Sequence, residues 1–286
     1  MPELPEVEIT KKTLQKYAQD QYITDVKIKN YNLRYKINKN FRKNVIQKKI
    51  KKITRRSKYL IFHLSSKSFF IIHLGMTGRI LISKNNTLLD TSFYSSNLSI
   101  NKHNHLYFFF KKYVMIYNDT RRFGFIKFYT EKELLKSSHL IHLGVEPLSK
   151  DLNFLYFKEG IKGYKKSIKN TLMDQSFICG LGNIYVNEVL FMSKINPERM
   201  SFKIKDNEII LLIKSIKKIL KKSIVFGGST IKDFHNSEGK SGEFQNFFKV
   251  YGKEDQECSR SSCKGRIQRS VISGRASFFC TKCQAE

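Results

Sequence analysis

The residues best suited to chemistry lie at the two ends of the chain. It begins Met1-Pro2-Glu3-Leu4-Pro5-Glu6-Val7-Glu8. A small second residue such as Pro2 permits removal of Met1, which would expose a secondary amine. An α-amine titrates near neutrality, at roughly 7.7–8.0, so much of it is an uncharged nucleophile at working pH; a lysine needs a large shift to match it. A secondary amine can attack a sugar C1′ and form an iminium, the covalent strategy of Schiff-base enzymes. Glu3 adjoins it and could shuttle protons at the sugar ring oxygen. A following helix N-terminus and a nearby cation would both favour the neutral amine. Read alone, the same Pro-Glu-x-Pro-Glu pattern also serves as a plain helix start.

At the other end the cysteines read Cys258-x4-Cys263-x16-Cys280-x2-Cys283. Two close pairs with a hairpin-length spacer suit a tetrahedral four-thiolate zinc site. With all four positions filled by thiolates, none is left for water, so one structural Zn2+ is expected. Disulfide pairing is the alternative, and an intracellular setting disfavours it. Cys179 stands apart and reads as a buried apolar residue.

Composition narrows the partner. The formal charge is +29, from 53 Lys+Arg against 24 Asp+Glu. Such a charge favours a polyanion, either nucleic acid or an anionic membrane surface. Abundant Lys, Asn and Ile with no Trp also fit a codon bias, which discounts the charge as evidence. A hydrophobic fraction of 41% excludes a disordered chain. The apolar runs, such as 59–62 and 69–72, are strand-sized and too short to span a bilayer. Glu3, Glu6 and Glu8 stand where a signal peptide needs positive charge, so the chain reads as cytoplasmic, without a membrane partner.

Elements of two kinds must position these ends. Residues 5–18 read as a helix, with Pro5 at its start and Val7, Leu14, Tyr17 and Ala18 on one face. From 21 to 130 short β-branched and aromatic runs recur, at 45–53, 58–64, 69–74, 79–82, 105–110, 113–117 and 124–129. Gly75, Gly78, Asn85-Asn86 and Lys111-Lys112 punctuate them, a spacing that predicts a sandwich or barrel. After 131 the pattern turns helical. The clearest helix is 206–226, with a stripe of Ile209, Ile213, Ile216, Leu220 and Ile224 and lysines opposite. Residues 235–246 read as a mobile polar loop, and a cysteine hairpin follows from 247.

Three further features could touch a polyanion. Gly180-Leu181-Gly182-Asn183 precedes a helix from Ile184 to Met192; exposed N–H groups there suit phosphate, and Asn183 would add a side-chain contact. A tight turn alone would look the same. Lys58 lies in the cationic strand RRSK, which also fits a solvated sheet edge. His103, in KHNH, is either a phosphate contact or an incidental loop residue.

Taken together, ordered blocks make the reading specific. MPELPEVE, RRSKYL at 55–60, HLGMTG at 73–78, DTRRFG at 119–124, LMDQ at 172–175 and GLGNIYVNEVLF at 180–191 resemble blocks of the formamidopyrimidine-DNA glycosylase family. GGSTIKDF at 227–234, GKSGEF at 239–244 and VYG at 250–252 continue the match in the family's order. The resemblance implies an α+β fold in three stretches. Residues 1–131 would form a catalytic β-sandwich with a leading helix. Residues 132–246 would form a helical DNA-binding domain with a helix–two-turns–helix, and 247–286 a zinc-finger β-hairpin.

The implied activity is removal of oxidised purines (8-oxoguanine and formamidopyrimidines), with β,δ-elimination at the abasic site through a Schiff base on Pro2. The implied partner is double-stranded DNA carrying oxidised bases or abasic sites, bound by a monomer. By the same resemblance Lys58 lies near the lesion phosphate and Met76, Arg121 and Phe123 fill the stack left by the extruded base. Met76 and Phe123 could equally be core residues near loop ends. Lys240 would contact the base or a phosphate from the loop 237–246 that closes over the base, and Arg275 would reach the backbone beside the flipped nucleotide. The chain departs from the family pattern at Thr120 and Ser241, where proline is usual, at Glu243, where an aromatic is usual, and in the x4 spacing of its first cysteine pair. Three rivals remain: an endonuclease VIII-like pyrimidine glycosylase, a non-catalytic DNA-binding homologue, and a basic zinc-ribbon protein of the translation machinery.

Overall fold

The computed structural model describes residues 1–84, 87–88, 102–229 and 243–285. Two compact units emerge: Met1–Ile141 with Ile224–Gln245, and His142–Ser223 with Asn246–Glu286. Lys240 and residues 237–242 of the expected closing loop lie outside the described residues, as do Asn85 and Asn86.

In the first unit, helix α1 (Leu4–Tyr17) carries Pro5 in its first positions and Glu6 in its first turn, where the helix dipole favours an anion. Val7, Leu14 and Ala18 are buried along one face, as their spacing predicts. Nine strands follow among the described residues: β1 (Asp25–Ile28), β2 (Ile50–Arg56), β3 (Tyr59–Leu64), β4 (Ser68–His73), β5 (Gly78–Lys84), β6 (Thr87–Leu88), β7 (Asn104–Phe109), β8 (Val114–Asp119) and β9 (Phe125–Thr130). They form two antiparallel sheets, ordered β1-β7-β8-β5-β6 and β2-β3-β4-β9. Alternation along each strand sends one face of each sheet into a shared core, the arrangement of a sandwich. Phe70 of β4 joins the two, stacking on Phe62 of β3 at 4.2 Å and on Phe108 of β7 at 5.4 Å.

Three short elements lie outside the expected runs, β1, β6 and helix α2 (Phe41–Val45). Val45 therefore closes a helix, and the run expected from 45 begins as a strand only at Ile50. Asn118 and Asp119, residue types that favour turns, instead end β8 and are buried at 1% and 0% exposure. Helix α3 (Glu131–Leu135) starts directly after β9 on a Thr130–Glu133 capping box.

The second unit contains α4 (Phe154–Ile161), α5 (Ile168–Met173), α6 (Asn183–Met192), most of α7 (Asp206–Val225) and a hairpin of β10 (Ile267–Ile272) and β11 (Arg275–Cys280). The α7 stripe differs from the expected one. Ile209, Ile216 and Leu220 are buried, but Leu212 and Ile219 complete the face with Ser215 and Ser223, while Ile213 and Ile224 are half-buried. The two serines tolerate burial because their hydroxyls bond Ser193 (2.9 Å) and the Tyr185 hydroxyl (2.6 Å). The polar stretch expected to be mobile ends in order: Phe244–Phe247 is a 3-10 turn with Phe244 buried. Among the described residues no helix is long and apolar enough to cross a membrane.

Candidate functional site

The chain start is held from several directions. Met1 is 49% exposed, Pro2 is buried and Glu3 is 2% exposed. The Glu6 carboxylate accepts from the Glu3 N–H at 2.9 Å, and its other oxygen accepts from the N–H and hydroxyl of Ser229 at 2.9 and 3.0 Å. Gly228 (φ +77°) makes room for this, since a Cβ there would lie 3.1 Å from the Glu6 oxygen. Two residues on, Glu8 accepts from Arg55 Nε at 2.8 Å, and Arg55 also donates to the Ser57 carbonyl at 2.8 Å. That ion pair is 10% and 15% exposed and holds the β2–β3 turn against α1.

Lys58 sits in that turn, after Ser57 in a left-handed conformation (φ 54°). It is 7% exposed, so neither the strand nor the solvated edge expected from sequence describes it. A buried ammonium shapes its surroundings. His73, at the end of β4, is pushed down to about 4, first by burial and then by the Lys58 charge. Its Nδ1 accepts from the Gly75 N–H at 3.1 Å, so the neutral ring carries its proton on Nε2. Sequence reasoning missed His73 as an individual, although it opens the HLGMTG block.

The two glycine-bounded loops of this unit adjoin. Met76 is 43% exposed and Phe123 42%, so both stand outside the core. The Arg121 guanidinium lies 4.5 Å from the Phe123 ring centroid, and between them Arg122 adopts φ 56°. Gly75 (φ +63°) approaches the second loop so closely that a Cβ would fall 2.4 Å from the Gly124 nitrogen. Arg34, Arg121, Arg122 and Phe123 line part of a shared depression, so cationic and aromatic side chains meet on one surface. His103 is half-buried before β7, and its carbonyl accepts from the Asp119 N–H at 3.0 Å.

In the second unit α5 and α6 are joined through Gln175, which accepts from the Gly180 N–H and donates to the Leu181 carbonyl, both at 2.8 Å. Gly180 takes φ +89°, and Asn183 opens α6. Asn183 Nδ2 donates to the Ala276 carbonyl at 2.9 Å; its Oδ1 is buried without a hydrogen-bond partner among the described residues. The same carbonyl takes Lys169 Nζ at 2.9 Å, and Lys169 also donates to the Ser277 hydroxyl at 2.6 Å. Fully buried, Lys169 is lowered to about 8 by desolvation and then by the Arg275 charge. Arg275 itself is exposed at the head of β11, one residue past a Ser273-Gly274 turn with both φ positive. Asn183 and Arg275 thus share one local framework, with Lys169 as a positioning residue unnoticed in the sequence.

Glu188 is a second such residue. Its buried carboxylate accepts from three successive N–H groups, of Lys249, Val250 and Tyr251, at 2.9–3.1 Å. It fastens α6 to the segment entering the hairpin, and desolvation raises its pKa.

The four cysteine sulfurs lie within 4.8 Å of one another, and none is in a disulfide. Cys263 and Cys280 stand 3.6 Å apart, and Cys258 and Cys283 3.8 Å. Thiolates about 2.3 Å from one ion stand about 3.8 Å apart at tetrahedral corners, so the cluster fits a metal ion. Within the longer first knuckle, Arg260 donates to the Phe191 carbonyl at the end of α6 at 2.6 Å.

A sandwich presenting adjoining wedge-like loops and a helical unit carrying a helix–two-turns–helix and a four-thiolate hairpin make up an α+β protein of the DNA-handling class. Residues 1–126 match the formamidopyrimidine-DNA glycosylase N-terminal domain, and 143–235 match the H2TH domain of the same enzymes. The formamidopyrimidine-DNA glycosylase of Rickettsia bellii is 38% identical over 286 residues, covering 99% of each chain. Among solved structures, the Lactococcus lactis Fpg bound to DNA with an abasic site is similar at TM-score 0.87 and 34% identity, over 99% of this chain and 100% of that one. The same enzyme bound to DNA containing an oxidised pyrimidine matches at TM-score 0.86 and 34% identity, over 100% of both. The chain belongs to the formamidopyrimidine-DNA glycosylase family.

Proposed function

We propose that this protein is a base-excision-repair DNA glycosylase that removes 8-oxoguanine and formamidopyrimidines from duplex DNA and then acts as an abasic-site lyase. The observation that carries the reading is an intact Pro2-Glu3 start, buried and held by Glu6 at the head of α1, in a member of this family that matches its relatives over 99% of this chain. After Met1 is removed, the Pro2 amine attacks C1′. The C1′–N bond breaks, its electrons leave with the base, and Glu3 exchanges protons at the opening sugar. The resulting iminium acidifies C2′–H, so loss of that proton expels the 3′ phosphate, and a second elimination expels the 5′ phosphate.

Lys58 serves the lesion phosphate and favours the neutral amine by its charge. Met76, Arg121 and Phe123 fill the vacated stack; Asn183, His103 and Arg275 hold phosphates, and Lys240 contacts the extruded nucleotide. Four thiolates would hold one zinc ion, which supplies rigidity to the hairpin and no reactive water. The protein acts as a monomer in the cytoplasm, on nucleoid DNA, with affinity that falls steeply with salt.

A second reading, oxidised pyrimidines as substrates, is favoured by the Lactococcus lactis complex with such DNA. Single-turnover excision from duplexes carrying 8-oxoguanine opposite cytosine and thymine glycol opposite adenine separates the two. Faster release of 8-oxoguanine supports the purine reading; release of thymine glycol alone would overturn it.

A further inference from the structure

We propose, on the reading that Met76, Arg121 and Phe123 fill the DNA stack, that Asp119 is a positioning residue that clamps their two loops into one rigid wedge, with the Thr77 hydroxyl as its bridge.

Asp119 is the last residue of β8 and is wholly buried. One carboxylate oxygen accepts from the Thr77 hydroxyl at 2.6 Å and from the Arg121 N–H at 3.2 Å. The other accepts from the Gly124 N–H at 2.8 Å and the Tyr117 hydroxyl at 3.1 Å. The carboxylate therefore ties the start and the end of the 119–124 loop to Thr77, the neighbour of Met76. Thr77 closes the circuit, because its oxygen also accepts from the Arg121 N–H at 3.1 Å.

Packing permits no slack around this circuit. A Cβ on Gly124 would lie 2.4 Å from the His73 carbonyl, and one on Gly78 would lie 2.1 Å from the Leu74 carbonyl. Hydrogen bonds to a buried carboxylate are charge-assisted and strengthened by the low local dielectric. The Tyr117 hydroxyl is held well above its ordinary pKa by burial and by the Asp119 charge, so it remains a donor to that carboxylate. The 119–124 loop carries Thr120 where the family usually has a backbone-restricting proline. The side-chain clamp supplies the restraint instead, so Met76 and the Arg121–Phe123 stack would enter DNA already arranged.

Thr77→Val keeps the size of the side chain and deletes the bridge; Thr77→Ser keeps the bridge. Two assays on the full-length protein test the clamp. The first is single-turnover excision of 8-oxoguanine from a paired duplex, set against borohydride trapping on a single-stranded abasic oligonucleotide, where no stack needs filling. Thr77→Val should slow duplex excision at least tenfold, leave single-strand trapping within twofold, and be restored by Thr77→Ser. Equal loss on both substrates, or no rescue by serine, overturns the proposal. The second assay is amide hydrogen exchange at Arg121 and Gly124 in the free protein, measured for wild type, Thr77→Val and Asp119→Asn. It involves no catalysis, so it stands even if the wild type proves inert and the glycosylase reading fails. Faster exchange at both amides, by tenfold or more, supports the clamp; unchanged protection overturns it.

Discussion

Acidification should loosen the first unit through one histidine. His73 is pushed down to about 4 in the folded protein, against an ordinary value of 6.5, by burial and by Lys58. The unfolded chain therefore binds a proton that the folded chain refuses between those two values. Stability must rise with pH across about 4 to 6.5 and be indifferent to this group above that window. From pH 7.5 down to pH 5, His73 alone should remove about 2 kcal/mol. Below pH 4 the loss approaches about 3 kcal/mol, the full shift converted at 1.36 kcal/mol per pH unit. The site of the loss is specific, because a proton on Nδ1 abolishes the acceptor that the Gly75 N–H uses beside Met76. His73→Asn places a non-titrating oxygen near the position of Nδ1. Urea denaturation of both proteins at pH 5.0, 5.5, 6.5 and 7.5 isolates the term, because burial also lowers His63 and His139 and both remain in the variant. The wild-type curve should fall below that of His73→Asn by about 2 kcal/mol as pH drops to 5. Parallel curves would refute the reasoning.

Other perturbations follow from the second unit. Glu188→Ala strands the buried N–H of Val250 and that of Tyr251, and should cost about 2–6 kcal/mol in urea denaturation, since each orphaned donor costs about 1–3 kcal/mol; a loss below about 1 kcal/mol would contradict the assigned role. Treating the protein with a thiol-reactive mercurial should release one zinc ion per chain, read with a colorimetric chelator, and weaken binding to abasic duplex; purified protein without zinc would contradict the four-thiolate assignment.

Local physics made much of this structure legible in advance. The face of α1, the extent of α7 with three of its buried positions (Ile209, Ile216 and Leu220), the run of short strands, the glycine-bounded loops at Met76 and Phe123 and the cysteine hairpin follow from period, turn residues and spacing. What escaped depends on contacts remote in sequence. Glu6 meets Ser229 across 223 positions, and Lys169 meets Ser277 across 108. No local pattern marks a lysine as fully buried, and the usual exposure of that residue type argues the other way. The burial of Lys58 escapes sequence for the same reason: a cationic run reads as solvated, whereas Arg55 in it is bound to Glu8. Asn118-Asp119 reads as a turn by residue type, yet Asp119 is an internal acceptor satisfied by four donors. Helix α2 has five residues, too few for a period to register.

The central claim is that the chain's own N-terminal amine becomes covalently joined to DNA. Borohydride trapping of the purified protein on a duplex with one 8-oxoguanine opposite cytosine tests it most directly, followed by mass spectrometry of the adducted peptide. The account predicts a covalent band whose adduct maps to Pro2 with Met1 absent, and which is lost when Pro2→Gly is made with Met1 retained. A band that survives that variant, or an adduct on a lysine, would contradict it.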